Sequence, residues 1–164
     1  MLGPSKKVTL TWVRDLSVLL KDLEPLVKDP KFLRTGRKFR NFPLLPREVL
    51  ANWLLCVVMN YQNESNSVTI STDPEGGDGL ILNLATGVHM VTEHVFVPEI
   101  QSVLSTVEDQ IINAIRAKAR FGRPYASGKH LIVFSEAVGL WYPNRAARRV
   151  KKKTTRSALF GLLI

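Results

Sequence analysis

The sequence predicts an α/β protein in which a mixed central sheet is flanked by helices. Three short apolar segments that read as strands follow two helical patterns, and a long helical pattern is followed by one more strand. The predicted order is therefore helix, helix, three strands, helix, strand, helix. The strand–helix–strand step between residues 89 and 135 predicts a right-handed parallel crossover. A length of 164 residues without internal repeats favours one domain, residues 1–164.

Two helices are predicted before the strands. Residues 9–28 carry apolar side chains at helical spacing, and Pro25 is expected to kink this helix or to end it early. A second helix begins at Pro46, where a missing N–H costs nothing, and Glu48 lies in its first turn, where the helix dipole favours a negative charge. Its wide apolar face predicts that the second helix is largely buried. That face comprises Val49, Leu50, Trp53, Leu54, Val57 and Val58.

The remaining elements follow from alternation, apolar runs and helical spacing. Strands are predicted at residues 67–72, 80–84 and 89–97. Pro98 begins a long helix that runs to about residue 120. Residues 129–135 are almost continuously apolar, which is typical of a central strand buried on both faces. Asn144 is expected to cap a short basic helix.

The predicted domain has three parts. Residues 1–45 form a helix and a basic loop, residues 46–136 form the α/β core, and residues 137–164 form a basic C-terminal segment. That segment ends in an apolar run from Ala158 to Ile164. The run predicts either a final strand or an apolar surface completed by a partner chain or by a second copy in a homo-oligomer.

Cys56 is the sole cysteine, which excludes an internal disulfide framework and a cysteine-based zinc site. Its apolar neighbours predict a small buried side chain. The longest apolar run, residues 53–59, is too short to cross a bilayer, and no secretory signal pattern is visible. The sequence therefore predicts a cytoplasmic protein with no membrane partner.

The charge pattern favours a nucleic-acid partner. It does not distinguish DNA from RNA, and of the two we expect DNA. The formal net charge is +9 and the pI is near 10.0, and binding to phosphates releases condensed counterions. Two clusters of basic residues, within residues 31–47 and 145–156, contain no acidic residue. The expected nucleic-acid contacts are Arg34, Arg37, Lys38 and Arg40 in the first cluster, and Arg145, Arg148, Arg149, Lys151, Lys152 and Lys153 in the second. The alternative is a charged surface that only keeps the protein soluble.

Two acidic residues on neighbouring predicted strands suggest a metal site. Asp78 stands at the start of one strand and Glu93 in the middle of the next, and a hairpin of this length is able to bring them together. A carboxylate inside an apolar strand is costly unless it is exposed, paired or bound to a metal. Oxygen ligands of this kind suit Mg²⁺, with Asp73 near by as a further ligand. The alternative for residues 73–78 is a plain turn that contains two acids.

The order of these elements resembles the core of the PD-(D/E)XK nucleases, the restriction-endonuclease-like hydrolases. The resemblance covers residues 46–136: a helix, an Asp at the start of one strand, a Glu in the next, a long helix and a buried strand. It implies a restriction-endonuclease-like core and a metal-dependent nuclease. The family's first acid maps to Asp78, with Asp73 as the alternative, and its second acid maps to Glu93.

The family's lysine has no counterpart at its usual place. It belongs two residues after the Glu, where this chain has Val95. Some family members take the lysine from a neighbouring element, and the candidates here are Lys118 on the long helix and Lys129 at the start of the following strand. Other members only bind nucleic acid. The second hypothesis is therefore a non-enzymatic basic protein with a degenerate nuclease-like fold that acts in nucleic-acid binding or assembly.

Overall fold

The computed structural model describes residues 13–29, 31–34, 37–38, 42–73, 75–99, 105–122, 126–153 and 161–163. It confirms an α/β protein with a mixed sheet and flanking helices. The chain divides into two compact units, residues 1–92 and 93–164, and the boundary falls within one strand. The single-domain assignment stays a prediction. None of the described helices has the length and apolar character needed to cross a membrane.

The helices and strands of the described residues have the following bounds. The helices are α1 (Leu16–Lys28), α2 (Lys31–Arg34), α3 (Pro46–Gln62), α4 (Val107–Ala119) and α5 (Pro143–Lys153). The strands are β1 (Val13–Arg14), β2 (Val68–Ser71), β3 (Gly79–Asn83), β4 (His89–Val97), β5 (Lys129–Ser135) and β6 (Gly161–Leu163).

In the first unit, strands β1 to β4 form an antiparallel series in chain order. Ile70 of β2 lies opposite Ile81 of β3, so their side chains share the face that α1 and α3 cover. The core of this unit contains Leu19, Leu23, Val49, Cys56, Val68, Ile70 and Ile81. Cys56 is fully buried, as predicted, and burial raises the pKa of its thiol to about 12.

The predicted buried face of α3 is right for Val49, Leu50 and Trp53, which are buried or pack against the core, and wrong for its other residues. Leu54, Val57 and Val58 are exposed, while Asn52 and Asn60 lie on the buried side with Val49 and Cys56. The two amide side chains are stable in the core because each forms hydrogen bonds with polar groups. Asn60 exchanges two hydrogen bonds with the backbone of Val68, of 2.8 and 2.9 Å, and so holds the end of α3 to the start of β2.

Two helix starts differ from the prediction because side-chain caps set them. α1 begins after Asp15, whose carboxylate accepts the N–H groups of Ser17 and Val18, and residues 13–14 before the cap pair with β2 as strand β1. Residues 9–12 of the predicted helix lie outside the described residues. Pro25 does not end α1, which continues to Lys28.

The long helix is shorter than predicted. Thr106 caps the N-terminus of α4 by accepting the N–H of Asp109 at 3.1 Å, so residues 98–99 and 105–106 are not helical. Residues 100–104 of the predicted helix lie outside the described residues. The Glu48 side chain accepts the N–H of Leu45 at 2.8 Å, which is the helix N-terminal role that the sequence suggested.

In the second unit, the end of β4 is followed in the sheet by β5 and β6. The N–H of Glu136, just after β5, donates to the carbonyl of Val97, while Lys129 at the start of β5 contacts Glu93. Both strands therefore run in the same direction, as the predicted crossover requires. β6 pairs parallel to β5, which confirms the final-strand interpretation of residues 161–163.

The core of the second unit lies between α4 and the strands. It contains Val97, Ile111, Ile115 and Leu131, with Val95 packed against them. β5 is less buried than predicted, because Leu131 is its only fully buried residue.

A small polar network fixes the start of β3 in the first unit. The Asn52 side chain, fully buried, donates to the carbonyl of Asp78 at 3.1 Å and accepts from the hydroxyl of Thr92 at 2.8 Å. Gly79 lies opposite Thr92 with φ of +148°, and a Cβ there would come within 2.2 Å of the Asn52 amide nitrogen. The network therefore requires glycine at position 79, for its backbone angle and for the space it leaves.

We expect Gly79→Ala to destabilise the chain more than Gly87→Ala. Both glycines have positive φ, but the Cβ added at Gly87 meets no atom within 4 Å. Gly87→Ala should cost about 1–2 kcal/mol from the backbone alone, and Gly79→Ala should cost a further ~1–3 kcal/mol from the clash. Urea unfolding of both variants measures the difference. Equal losses would show that the Asn52 contact does not restrict position 79.

Candidate functional site

The candidate site is a buried carboxylate held by two lysines in the second unit. The Glu93 side chain is only 4% exposed. Its Oε2 lies 3.0 Å from the Nζ of Lys118, and its Oε1 lies 2.7 Å from the Nζ of Lys129. The lysine side chains are 20% and 21% exposed, so both are partly accessible to a ligand.

Three different elements supply these side chains. Glu93 lies on β4, on the same strand face as Val95 and Val97, which pack in the core beneath α4. Lys118 lies in the last turn of α4, where the helix dipole favours a cation. Lys129 is the first residue of β5 and follows Gly128, whose φ of +76° turns the chain into the strand.

The pairing explains why a charged Glu is stable inside β4. A buried carboxylate pays a large desolvation cost, and close ion pairs with good hydrogen-bond geometry offset it. The three groups together carry one net positive charge. Such a cluster is able to attract an anionic group such as phosphate and to stabilise charge that develops on it.

The structure brings together three of the four predicted catalytic residues. Lys118 and Lys129 were alternatives for one missing lysine, and both contact Glu93. Asp78 belongs to the first unit, directly before β3, where its carbonyl accepts the hydrogen bond from Asn52. The pairing of Asp78 with Glu93 at one metal ion stays a prediction.

Asp73, the third predicted metal ligand, has the geometry of the plain-turn alternative. Its Oδ1 accepts the N–H of Glu75 and its Oδ2 accepts the N–H of Gly77, each at 2.9 Å. Both carboxylate oxygens thus brace the turn that leads to β3. A metal ion bound by Asp73 would have to compete with these hydrogen bonds.

The side chains of the predicted metal site are of the kind that Mg²⁺ prefers. Glu93 and Asp78 offer carboxylate oxygens, which fit Mg²⁺, and this ion needs only one or two carboxylates when water and substrate oxygens complete its shell. Over the described ranges, no group of three or more acidic, histidine or cysteine side chains is arranged to hold a metal ion. The donor type therefore fits Mg²⁺, and the ion itself stays a prediction.

The predicted nucleic-acid contacts include exposed residues and two arginines that are exposed and also form ion pairs. Arg34, Arg37 and Lys38 of the first cluster and Arg148 of the second are exposed. Arg40 lies outside the described residues. Lys151, Lys152 and Lys153 form the last turn of α5. Arg145 and Arg149 both contact acidic residues.

Glu108 is an important charged residue that the sequence reasoning missed. It is 1% exposed, and its two oxygens accept from the Nε of Arg145 and the Nη1 of Arg149, both at 2.7 Å. Asp109 accepts from the Nη2 of Arg149 at 2.6 Å, and the Arg145 guanidinium lies over the Tyr142 ring. We call these contacts between α4 and α5 the arginine clamp. The signal in the sequence was the i, i+4 spacing of the two arginines.

The clamp shifts the titration of its acidic groups. Hydrogen bonds from Arg149 and then Arg145 lower the pKa of Glu108, against the effect of burial. The hydroxyl of Thr106, followed by Arg149, lowers the pKa of Asp109. The same contacts with Glu108 and Asp109 raise the pKa of Arg149. The clamp is therefore fully charged at neutral pH.

Comparison with known proteins identified no relative of this chain. No protein-family model matches the chain, and searches of curated proteins and of solved structures found no match.

We expect the clamp to stabilise the fold at neutral pH and to fail in acid. Because the folded-state pKa values of Glu108 and Asp109 are lowered, their contribution is complete above the ordinary values of 4.5 and 3.8 and is lost as the pH falls below them. Glu108→Gln should therefore lower the thermal midpoint by several degrees at pH 7, and this difference should shrink towards pH 3. The measurement is thermal unfolding followed by circular dichroism between these two values.

Glu75→Gln is the matched control, since it removes the same charge from an exposed turn residue. It should leave the midpoint nearly unchanged at each pH. A Glu108→Gln effect that is the same at pH 7 and pH 3 would contradict the assignment of the stabilisation to ion pairs.

Proposed function

We propose that this protein binds nucleic acid and cleaves its phosphodiester backbone with a divalent metal at the Glu93–Lys118–Lys129 cluster. The observation that carries the proposal is the convergence of both candidate lysines on the Glu93 carboxylate. The cluster provides the positive charge that the PD-(D/E)XK pattern places at position 95, where this chain has valine.

Each residue has a role that follows from its chemistry. Glu93 holds both ammonium groups in fixed positions, and it would offer a carboxylate oxygen to Mg²⁺ in competition with these two contacts. The lysines place N–H donors where negative charge develops on the phosphoryl oxygens during the attack of water. When bound, Mg²⁺ would stabilise the same charge and would lower the pKa of a coordinated water molecule.

The charge of the chain supports a nucleic-acid substrate. The formal net charge is +9, and exposed basic residues such as Arg37, Lys38 and Arg148 are able to contact phosphates. Contacts of this kind position a backbone without reading its bases. The proposal is therefore cleavage without a defined recognition sequence.

A second candidate function is nucleic-acid binding without catalysis. It is favoured by the same cluster, because two lysines that neutralise one buried carboxylate also make a stable structural ion pair. Asp73 supports it as well, since both of its oxygens serve a turn. In this case Glu93 would be required for the fold only.

Cleavage assays on the parent protein and three variants test the proposal. We expect the parent to cut plasmid, linear or single-stranded DNA, or RNA, with Mg²⁺ or Mn²⁺. Glu93→Gln, Lys118→Met and Lys129→Met should each reduce the rate about 100-fold or more, because each removes a preorganised charge from the reacting group. Lys21→Met, which removes an exposed lysine from α1, is the matched control and should cut like the parent.

Binding of a labelled oligonucleotide, measured by fluorescence anisotropy, separates the two functions. The three cluster variants should bind within a few-fold of the parent if the cluster acts in catalysis. The second candidate is correct if neither metal supports cutting by the parent at high concentration, while salt-sensitive binding remains. Parent cleavage that survives Glu93→Gln would place the active site elsewhere.

A further inference from the structure

One side of α3 is apolar and faces solvent. It carries Leu54, Val57, Val58 and Tyr61, which are between 37% and 85% exposed. Their i, i+3, i+4 and i+7 spacing places them in one row along the helix, which we call the exposed stripe. Leu20 of α1 is also exposed and lines the same groove as Val57 and Tyr61, so the apolar surface extends to the neighbouring helix.

The exposed stripe belongs to a segment without charge. Residues 49–62 contain no acidic residue, lysine, arginine or histidine, although charged residues make up 23% of the chain. Another side of the same helix, with Val49 and Cys56, packs in the core, so apolar residues occupy two sides of α3. A surface helix normally presents polar residues to solvent, and a contiguous exposed apolar patch marks an interaction site. The stripe therefore has the composition of an interface.

We propose that the exposed stripe is the contact between two copies of this chain, related by a twofold axis with their α3 helices antiparallel. In such a pair the same surface of both copies meets, so that surface must be complementary to itself. The proposal does not depend on the proposed nuclease activity. It also concerns a different surface from the apolar run at residues 158–164.

The side chains of the stripe match their own copy in size. An antiparallel twofold axis between Val57 and Val58 sets Val57 of one copy beside Val58 of the other, and it sets Leu54 beside Tyr61 of the other. The two smaller residues thus lie where the helices cross, which allows the helix axes to approach closely. The larger residues fill the space on either side of the crossing.

The charges at the two ends of α3 match in the same arrangement. Arg47 lies in the first turn, and the exposed Glu64 follows the last turn, where its N–H donates to the carbonyl of Tyr61. At 1.5 Å per residue they lie about 16 and about 10 Å along the helix from the proposed axis, on opposite sides of it. The twofold axis therefore brings Arg47 of each copy within side-chain reach of Glu64 of the other. Antiparallel helix dipoles favour the same orientation.

A second copy fits the stripe better than a polyanion or an anionic lipid surface does. Both of those partners require lysine or arginine beside the apolar groups, and residues 48–62 contain neither. The formal net charge of +9 makes two copies repel each other wherever basic surfaces meet. An uncharged stripe is a surface on which two such copies are able to associate.

Sedimentation equilibrium of the full chain tests the proposal with two variants of the same chemistry. Val58→Glu places a charge at the centre of the stripe. Val88→Glu places the same charge on an exposed valine between β3 and β4, outside the stripe. Circular dichroism checks that each variant is folded.

We expect the parent to be mainly dimeric at ~100 µM protein. Val88→Glu should associate like the parent, whereas Val58→Glu should raise the Kd of the dimer about 10-fold or more, because it buries two like charges against each other. A parent that stays monomeric at this concentration would overturn the proposal. So would a Val58→Glu variant that associates like the parent.

A charge exchange tests the antiparallel arrangement and does not depend on the folding of Val58→Glu. Arg47→Glu alone and Glu64→Arg alone should each raise the Kd about 3-fold or more, because each sets like charges opposite each other. The two substitutions together restore opposite charges across the twofold axis and leave the net charge unchanged, so the Kd should return to that of the parent. A combined variant that associates no more tightly than either single variant would overturn the antiparallel pair.

Discussion

Glu93 and Glu108 are both almost fully buried, and each is held by two basic side chains from other elements. Neither carboxylate would be tolerated in the core without these partners, because removal of a charge from water costs several kcal/mol. Both ion-pair groups use α4: Glu108 near its start holds α5, and Lys118 near its end reaches Glu93 on β4. Charge therefore fixes the start of this helix against α5 and its end against β4, and Ile111 and Ile115 pack in the core between these ends.

In the first unit, the buried polar side chains are neutral amides. Asn52 and Asn60 replace apolar residues on the buried side of α3, and their amides bond to the backbone at the starts of β3 and β2. An amide has both donors and an acceptor, so it is able to bond to backbone groups at the end of a strand. This requirement also explains the restriction at Gly79, which leaves room for the Asn52 side chain.

The order of elements could be predicted because strand alternation and helix spacing are local properties. Glu93 could be identified from the cost of a carboxylate in an apolar strand. The two lysines were candidates only because of the resemblance to a nuclease pattern whose lysine is missing at position 95. The buried face of α3 and the role of Glu108 could not be predicted in this way. Polar residues enter a core only when partners that are distant in the sequence satisfy their hydrogen bonds. The starts of α1 and α4 depend on backbone N–H groups that donate to the side chains of Asp15 and Thr106, and helical spacing alone does not locate these caps. Asp73 illustrates the same limit, since its local turn geometry competes with a role in metal binding.

Val95 lies in the core, and its position explains why the cations beside Glu93 come from other elements. Val95 shares a strand face with Glu93 and packs against the core formed by Val97, Ile111 and Leu131, where a lysine would be expensive to bury. Lysines at the end of α4 and the start of β5 reach the same carboxylate while their side chains remain about one-fifth exposed. The chain thus combines a better-packed β4 with two cations beside Glu93. Under the proposed function, the positive charge beside Glu93 therefore comes from α4 and β5, while Val95 belongs to the core.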